Sequence, residues 1–155
     1  MAVPDFVLAL RSRIGTDPLW LSGVTACVVD DGRVLLVKRA DNGRWTPVTG
    51  IIDPGENPAT AAAREVLEEA DVVATPTRLA MVDVTDLVVY ENGDQTRYLD
   101  LTFLCDYVSG DPFPADGENT EARWFPLDGL PEMTPDMLAR LNAALADEPA
   151  ARFEL

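Results

Sequence analysis

Glu65, Glu68 and Glu69 stand at i, i+3 and i+4 in the run AAAREVLEEA. At about 100° per residue, this spacing gathers the three carboxylates within one sector of a helix. Like charges so placed repel, at a cost of roughly 0.2–0.5 kcal/mol per pair on a bare helix. A cation held between them removes that cost. Oxygen donors alone, without thiolate or imidazole, suit Mg2+ or Mn2+. A plain solvated helix can also carry an acidic face, so the three glutamates by themselves leave both readings open. The chain contains no histidine, which excludes imidazole catalysis. Any general base is then a carboxylate, a less common group or a metal-bound hydroxide.

The elements that must position these groups are also legible. Asn57 is a suitable helix N-cap, Pro58 fits the first helical position, and the alanines that follow favour helix. Ala59, Ala62, Ala63, Val66, Leu67 and Ala70 make an apolar stripe opposite the glutamates, wide enough to pack on a sheet. Gly50 leads into the helix, and Pro54-Gly55 marks a loop before it.

Taken together, Gly50, Glu56, Arg64, Glu65, Val66, Glu68, Glu69 and Val72 resemble the signature of the Nudix hydrolases. That signature is Gly, five residues, Glu, seven residues, then Arg-Glu-apolar-any-Glu-Glu-any-Gly-apolar. One position departs: Asp71 stands where the family has Gly, and Asp tolerates the positive φ of a helix end better than most residues. Thr49 also stands where many members have a second Gly. The resemblance implies a single domain over residues 1–155, an α/β/α sandwich with a mixed β-sheet between helices. It implies Mg2+-dependent hydrolysis of a nucleoside diphosphate linked to another moiety. Glu65 and Glu69 are then metal ligands, Glu68 a ligand or base, and the Gly50 carbonyl a further candidate ligand. Glu56 and Arg64 pair to orient the segment. A carboxylate ahead of the Arg-Trp strand often supplies another ligand or the base; Glu118 matches best, with Asp116 and Glu121 as competitors. The alternative from another class is a non-catalytic module that binds a nucleotide for regulation.

The rest of the chain is read around this segment. Residues 1–15 carry an N-terminal helix, with Pro4 and Asp5 at its start and Gly15 after its end. Its apolar side, Phe6, Val7, Leu10 and Ile14, pads the core or a homodimer interface. Residues 23–40 read as a β-hairpin around Asp31-Gly32. Arg33, Lys38, Arg39 and Arg44 follow close together, and Arg39 and Arg44 are candidates for phosphate contact. Residues 79–90 and 96–108 read as strands joined at Asn92-Gly93. Their polar face is solvent or the wall of a substrate cleft, with Tyr98 and Asp100 placed in the cleft. A Gly/Pro/Asp-rich loop, a short strand EARWFPL and a helix over 134–148 complete the chain.

Composition narrows the partners. The 155 residues carry a formal charge of −15, from 27 acidic and 12 basic residues. Such a surface repels nucleic acid and anionic membranes, and would repel a polyphosphate too unless bound cations and local arginines offset the field; the small nucleotide substrate is what the resemblance implies. No apolar run approaches the ~20 residues of a membrane span. The N-terminal segment lacks a basic leader, so the cytoplasm is the expected compartment. Cys27 and Cys105, each in an apolar run, are expected as buried thiols.

Overall fold

The computed structural model describes residues 3–155; residues 1 and 2 of the expected N-terminal helix segment lie outside the described residues. In chain order it contains α1 (Asp5–Ile14), β1 (Leu19–Asp30), β2 (Arg33–Arg39), β3 (Trp45–Thr46) and β4 (Val48–Ile51). These are followed by α2 (Pro58–Ala70), β5 (Val73–Val84), β6 (Val88–Val89), β7 (Gln95–Ser109), β8 (Asn119–Pro126) and α3 (Pro135–Leu145). Asp31 and Gly32 turn the first hairpin with φ of 44° and 74°, as a two-residue turn with both residues left-handed requires.

The hairpin then opens. β1 and β2 pair only at Val29↔Val34 and Asp30↔Arg33. Further from the turn, β1 takes β4 antiparallel, from Gly23↔Ile51 to Ala26↔Val48. Its other edge takes β7 in parallel, from Leu19↔Thr96 to Val29↔Asp106. β2 pairs along its other edge with β8 and, at Val37 and Lys38, with β3. The result is one mixed sheet, in the order β3-β2-β1-β7-β5 with β4, β6 and β8 as side branches. The parting of β1 and β2 leaves room over which α2 presents its glutamates.

Helices cover both faces. α2 sets Ala61, Ala62, Val66 and Ala70 against Val24, Ala26, Val28, Phe103 and Cys105. α3 sets Leu141, Ala143 and Ala144 against Cys27, Val34, Leu36 and Ala80 on the opposite face. Full burial of a side chain such as Val66 or Leu141 contributes roughly 1.5–3 kcal/mol each. The small alanines on α2 let the helix lie close to the sheet. α1 buries only Val7, which joins Leu19 and Leu21 in a small cluster with Phe6, Ile51 and Tyr98 packed on it. Leu10 and Ile14, expected on its buried side, are exposed. Arg11 ties the helix down by donating to the carbonyls of Gly15, Asp17 and Gln95.

Several boundaries differ from the expectation, each for a local reason. β5 begins at Val73 rather than 79 and passes through Pro76; it is an edge strand with a register shift between Pro76 and Arg78, where a missing N–H is tolerated. α3 ends at Leu145 rather than 148, because Arg78 takes the carbonyls of Ala143, Ala144 and Ala146 and Arg152 pairs along β5 beside Met81. Asn57 and Thr134 occupy the N-cap positions, but neither side chain makes a capping hydrogen bond.

The polar face of β7 is a larger correction. α3 covers its middle, at Asp100 and Thr102, which is neither solvent nor a cleft wall; Asp106, expected in solvent, is exposed. Asp100 is buried, accepts from Thr25 and Thr102, and pairs with Arg140 of α3 at 3.3 Å. Three partners leave this carboxylate no face for a substrate. Tyr98 lies beside α1, with its hydroxyl 2.6 Å from that of Tyr90.

Asp71 ends α2 with φ 54° and ψ 32°, its N–H bonded to the Leu67 carbonyl. A left-handed non-glycine residue carries a steric cost that glycine avoids. The variant Asp71→Gly is expected to be more stable by roughly 0.5–1 kcal/mol, measured as a higher urea midpoint at unchanged slope. A lower midpoint would show that the Asp71 side chain contributes more than its backbone strain costs.

Candidate active site

Gly50 on β4 faces Glu65 on α2. A Cβ built at Gly50 would overlap the Glu65 carboxyl group, so the strand lets this side chain in only because position 50 has none. Glu65 is fully buried. Its Oε1 accepts from Arg64 Nη1 at 2.8 Å. Its Oε2 is buried with no hydrogen-bond partner among the described residues. An orphaned carboxylate oxygen in a protein interior costs free energy unless something binds it.

Arg64 organises the outer side of the site. It grips both oxygens of Glu56 at 2.9 Å, through Nε and Nη2. It also donates to the Ile51 carbonyl at 3.1 Å, to Glu65, and to Glu68 at 3.1 Å. One planar guanidinium thereby joins the β4–α2 loop to the helix. The same contact holds the Glu56 carboxyl below its usual range. Glu68, with its side chain 43% exposed, faces Arg64 and solvent.

Glu69 lies one turn beyond Glu65 and is also buried. Its Oε2 accepts from Asn119 Nδ2 at 2.9 Å. Glu69, Asp116 and Glu118 each bring a carboxylate oxygen within 4.8 Å of the others. The loop that carries the last two is tied to the end of α2: Phe113 N–H donates to the Ala70 carbonyl at 2.9 Å and Ala115 N–H to the Glu69 carbonyl at 3.2 Å. These bonds satisfy carbonyls that the helix end leaves open. Gly110 makes the approach possible, since a Cβ there would collide with the Asp71 carbonyl.

Electrostatics follow from burial. Desolvation pushes the Glu65 carboxyl up to about 7, against the pull of Arg64. It pushes Glu69 up to about 8, against the Asn119 hydrogen bond and with Glu65, Glu118 and Asp116 adding repulsion. The donor set fits a divalent cation. All its members are oxygens, one buried oxygen lacks a partner, and a glycine provides the space.

Of the residues anticipated from sequence, Glu65, Glu69, Gly50 and Glu118 converge here, and Arg64 with Glu56 braces them. Arg39 is close enough for Glu69 and Glu118 to raise its pKa, but its guanidinium is already held by Asp41 at 3.0 and 2.8 Å. The Arg44 side chain is exposed, and its backbone carbonyl accepts from Arg39 N–H. Lys38 pairs with Glu121, and Arg33 with Asp30. Tyr98 and Asp100 lie across Gly23 from the Gly50 carbonyl rather than among the carboxylates, Asp100 already engaged by Thr25, Thr102 and Arg140. Asn119 was not singled out; an Asn in a Gly/Asp-rich loop reads as a turn residue, and only the fold brings it to Glu69.

The site is thus a carboxylate cluster shared between the end of a helix and a facing loop, over a mixed sheet. The model of the NUDIX domain matches residues 20–146. The chain therefore belongs to the Nudix family, whose members hydrolyse phosphoric anhydrides. A MutT-like protein of Streptomyces ambofaciens is 36% identical over 132 residues, covering 83% of this chain and 79% of that protein. The NAD-capped RNA hydrolase NudC of Vibrio cholerae is 31% identical over 100 residues, 63% of this chain; the match spans 33% of that protein's length. The solved structure of an ADP-ribose pyrophosphatase from Streptococcus suis superposes with a TM-score of 0.67 at 22% identity, covering 86% of this chain and 98% of that one, a likeness of fold.

A carboxyl whose pKa is higher in the folded chain binds its proton more tightly there. Its stabilising contribution is present below the unfolded value of 4.5 and is lost as pH rises to about 7 for Glu65 and about 8 for Glu69. With a chelator present, the urea midpoint is expected to fall between about pH 5 and pH 8, and to fall less in Glu69→Gln. An equal fall in the variant would show that Glu69 does not titrate in this window.

Proposed function

We propose that this chain, acting as one domain, hydrolyses a nucleoside diphosphate linked to another moiety at a phosphorus–oxygen bond, with Mg2+ or Mn2+ as cofactor. Glu65, Glu69 and the Gly50 carbonyl are the ligands we assign, with Glu68 as a further ligand or base. The observation that carries this reading is the partnerless buried oxygen of Glu65 beside the Glu69–Asp116–Glu118 cluster. A bound divalent cation supplies charge neutralisation for the diphosphate and a lowered pKa for water. The chain itself supplies position: Arg64 and Glu56 hold the loop and helix together, and Gly50 admits the Glu65 carboxylate. Glu118, on a loop anchored to α2, is the carboxylate we assign to take the proton of the attacking water. The buried, desolvated setting strengthens each of these electrostatic contacts.

The completeness of the carboxylate set favours catalysis over a purely regulatory nucleotide-binding module. The acidic surface argues against long nucleic acids. The relatives named NAD-capped RNA hydrolases nonetheless put a capped RNA end in the panel to be tested. Among the described residues no helix is long and apolar enough to cross a membrane. The two free, buried thiols suit the reducing cytoplasm as its compartment.

A panel of ADP-ribose, a nucleoside diphosphate sugar, NAD, NAD-capped RNA and nucleoside triphosphates, with products identified by mass, tests the reading. The expected outcome is Mg2+-dependent release of a nucleoside monophosphate from at least one. Glu118→Gln is expected to lower the maximal rate by roughly 10²–10⁴-fold, with little change in substrate or Mg2+ affinity. Turnover equal to wild type in that variant moves the base to Glu68, Asp116 or Glu121. No metal-dependent turnover of any substrate overturns the catalytic reading.

A further inference from the structure

Asn119 sits at a junction. It is the first residue of β8, directly after Glu118, and is only 6% exposed. Its backbone is fixed by pairing with Arg39 of β2, at a register shift between Lys38 and Arg39. Next to it, Ala40 N–H donates to the Glu118 carbonyl at 2.8 Å. Its side chain crosses to α2 and donates from Nδ2 to Glu69 Oε2 at 2.9 Å. A single side chain thus joins the strand that carries Glu118 to the carboxylate of Glu69. The backbone bond from Ala115 to the Glu69 carbonyl holds the loop on the helix, but it leaves the Glu69 side chain free to rotate.

We propose that Asn119 is a positioning residue that holds the carboxylate of Glu69, a ligand assigned above, at a fixed spacing from the loop that carries Glu118, so that Glu69 can take its place on a divalent cation. This rests on the metal-dependent reading above and goes further, to a residue that touches neither substrate nor the proposed ligand atoms of Glu65. The chemistry of the donor supports it. Arg or Lys at position 119 would orient Glu69 but cancel the charge that attracts a cation. A neutral amide orients the carboxyl group without adding a positive charge beside it, and leaves its second oxygen to a ligand. A short Asn side chain, buried at both ends of its reach, also fixes the distance more tightly than a long flexible one. Hydrogen-bond partners of metal-binding carboxylates commonly matter in this way, at a cost of about 10–100-fold in metal affinity when removed.

The test is Mn2+ binding by calorimetry on the full chain, with substrate turnover read alongside. Asn119→Leu keeps the size and removes the donor; Asn119→Ala, which also has no side-chain donor, takes its place if far-UV circular dichroism shows the Leu variant unfolded. The expected result is Mn2+ affinity at least tenfold weaker. Turnover should be low at limiting Mn2+ and partly restored at saturating Mn2+. In a Glu69→Gln background the same substitution should weaken binding no further, because the contact that it removes no longer orients a charged ligand. A loss below tenfold in the variant that folds, or an equal loss in the Glu69→Gln background, overturns the proposal. Unfolding of both variants also overturns it, in favour of a purely structural role. A wild-type chain that binds no Mn2+ overturns this proposal together with the functional reading. A wild type that binds Mn2+ and turns over substrate, beside a variant that does so equally, overturns this proposal alone.

Discussion

Two carboxylates buried under a sheet cost free energy, and much of the architecture near α2 answers that cost. Glu65 and Glu69 leave water on the inner side of the helix. Neither is neutralised by a dedicated ion pair: Arg64 gives Glu65 one of its donors and spends the others on Glu56, Glu68 and Ile51. Burial of this kind is unfavourable unless the charge is paired or meets a cation. A structural site would be expected to complete the pairing. This one leaves an oxygen of Glu65 without a partner, as the proposed cation site requires.

The sheet makes that place by failing to close. Had β1 and β2 stayed paired beyond Val29↔Val34, β4 could not have joined β1, and Gly50 would not face Glu65. The freed edge of β2 takes β3 at Val37 and Lys38, while its other edge pairs with β8 from Arg33↔Pro126 to Arg39↔Asn119, which brings the loop carboxylates round to the end of α2. The same helix end is finished by that loop, through Phe113 and Ala115, and by the left-handed Asp71. Helix termination and site assembly are therefore one event: bonds that satisfy the last carbonyls of α2 also fix where Asp116 and Glu118 stand.

A second buried charged group shows the contrast. Asp100 is held by Thr25, Thr102 and Arg140 between β7, β1 and α3, both of its oxygens accepting hydrogen bonds, although Arg140 Nε is left without a partner among the described residues. Its carboxylate has its partners within the fold, and α3 seals it from solvent. Such a pair fixes how α3 lies on the sheet more surely than it adds net stability. The difference between Asp100 and Glu65 is not one of residue type or depth. It lies in whether the surrounding side chains complete the hydrogen bonding.

That difference marks the limit of what the sequence could determine. The helical spacing of Glu65, Glu68 and Glu69, the preceding Gly50 and Glu56, the α/β order and the Asp31-Gly32 turn are local or periodic features, and local physics suffices to read them. Strand-face alternation likewise put Asp100 and Thr102 on one side of β7. It could not say that α3 would cover that side, because which helix lies on which face depends on contacts between residues far apart in the chain. For the same reason Asp100 read as a cleft residue, and Asn119, 50 positions from its partner, read as an ordinary loop residue. The residue types able to bind a metal follow from the sequence alone. Which oxygens end up together, and which is left without a partner, was decided by the parting of β1 and β2 and by the loop that caps α2, since only long-range packing sets those distances.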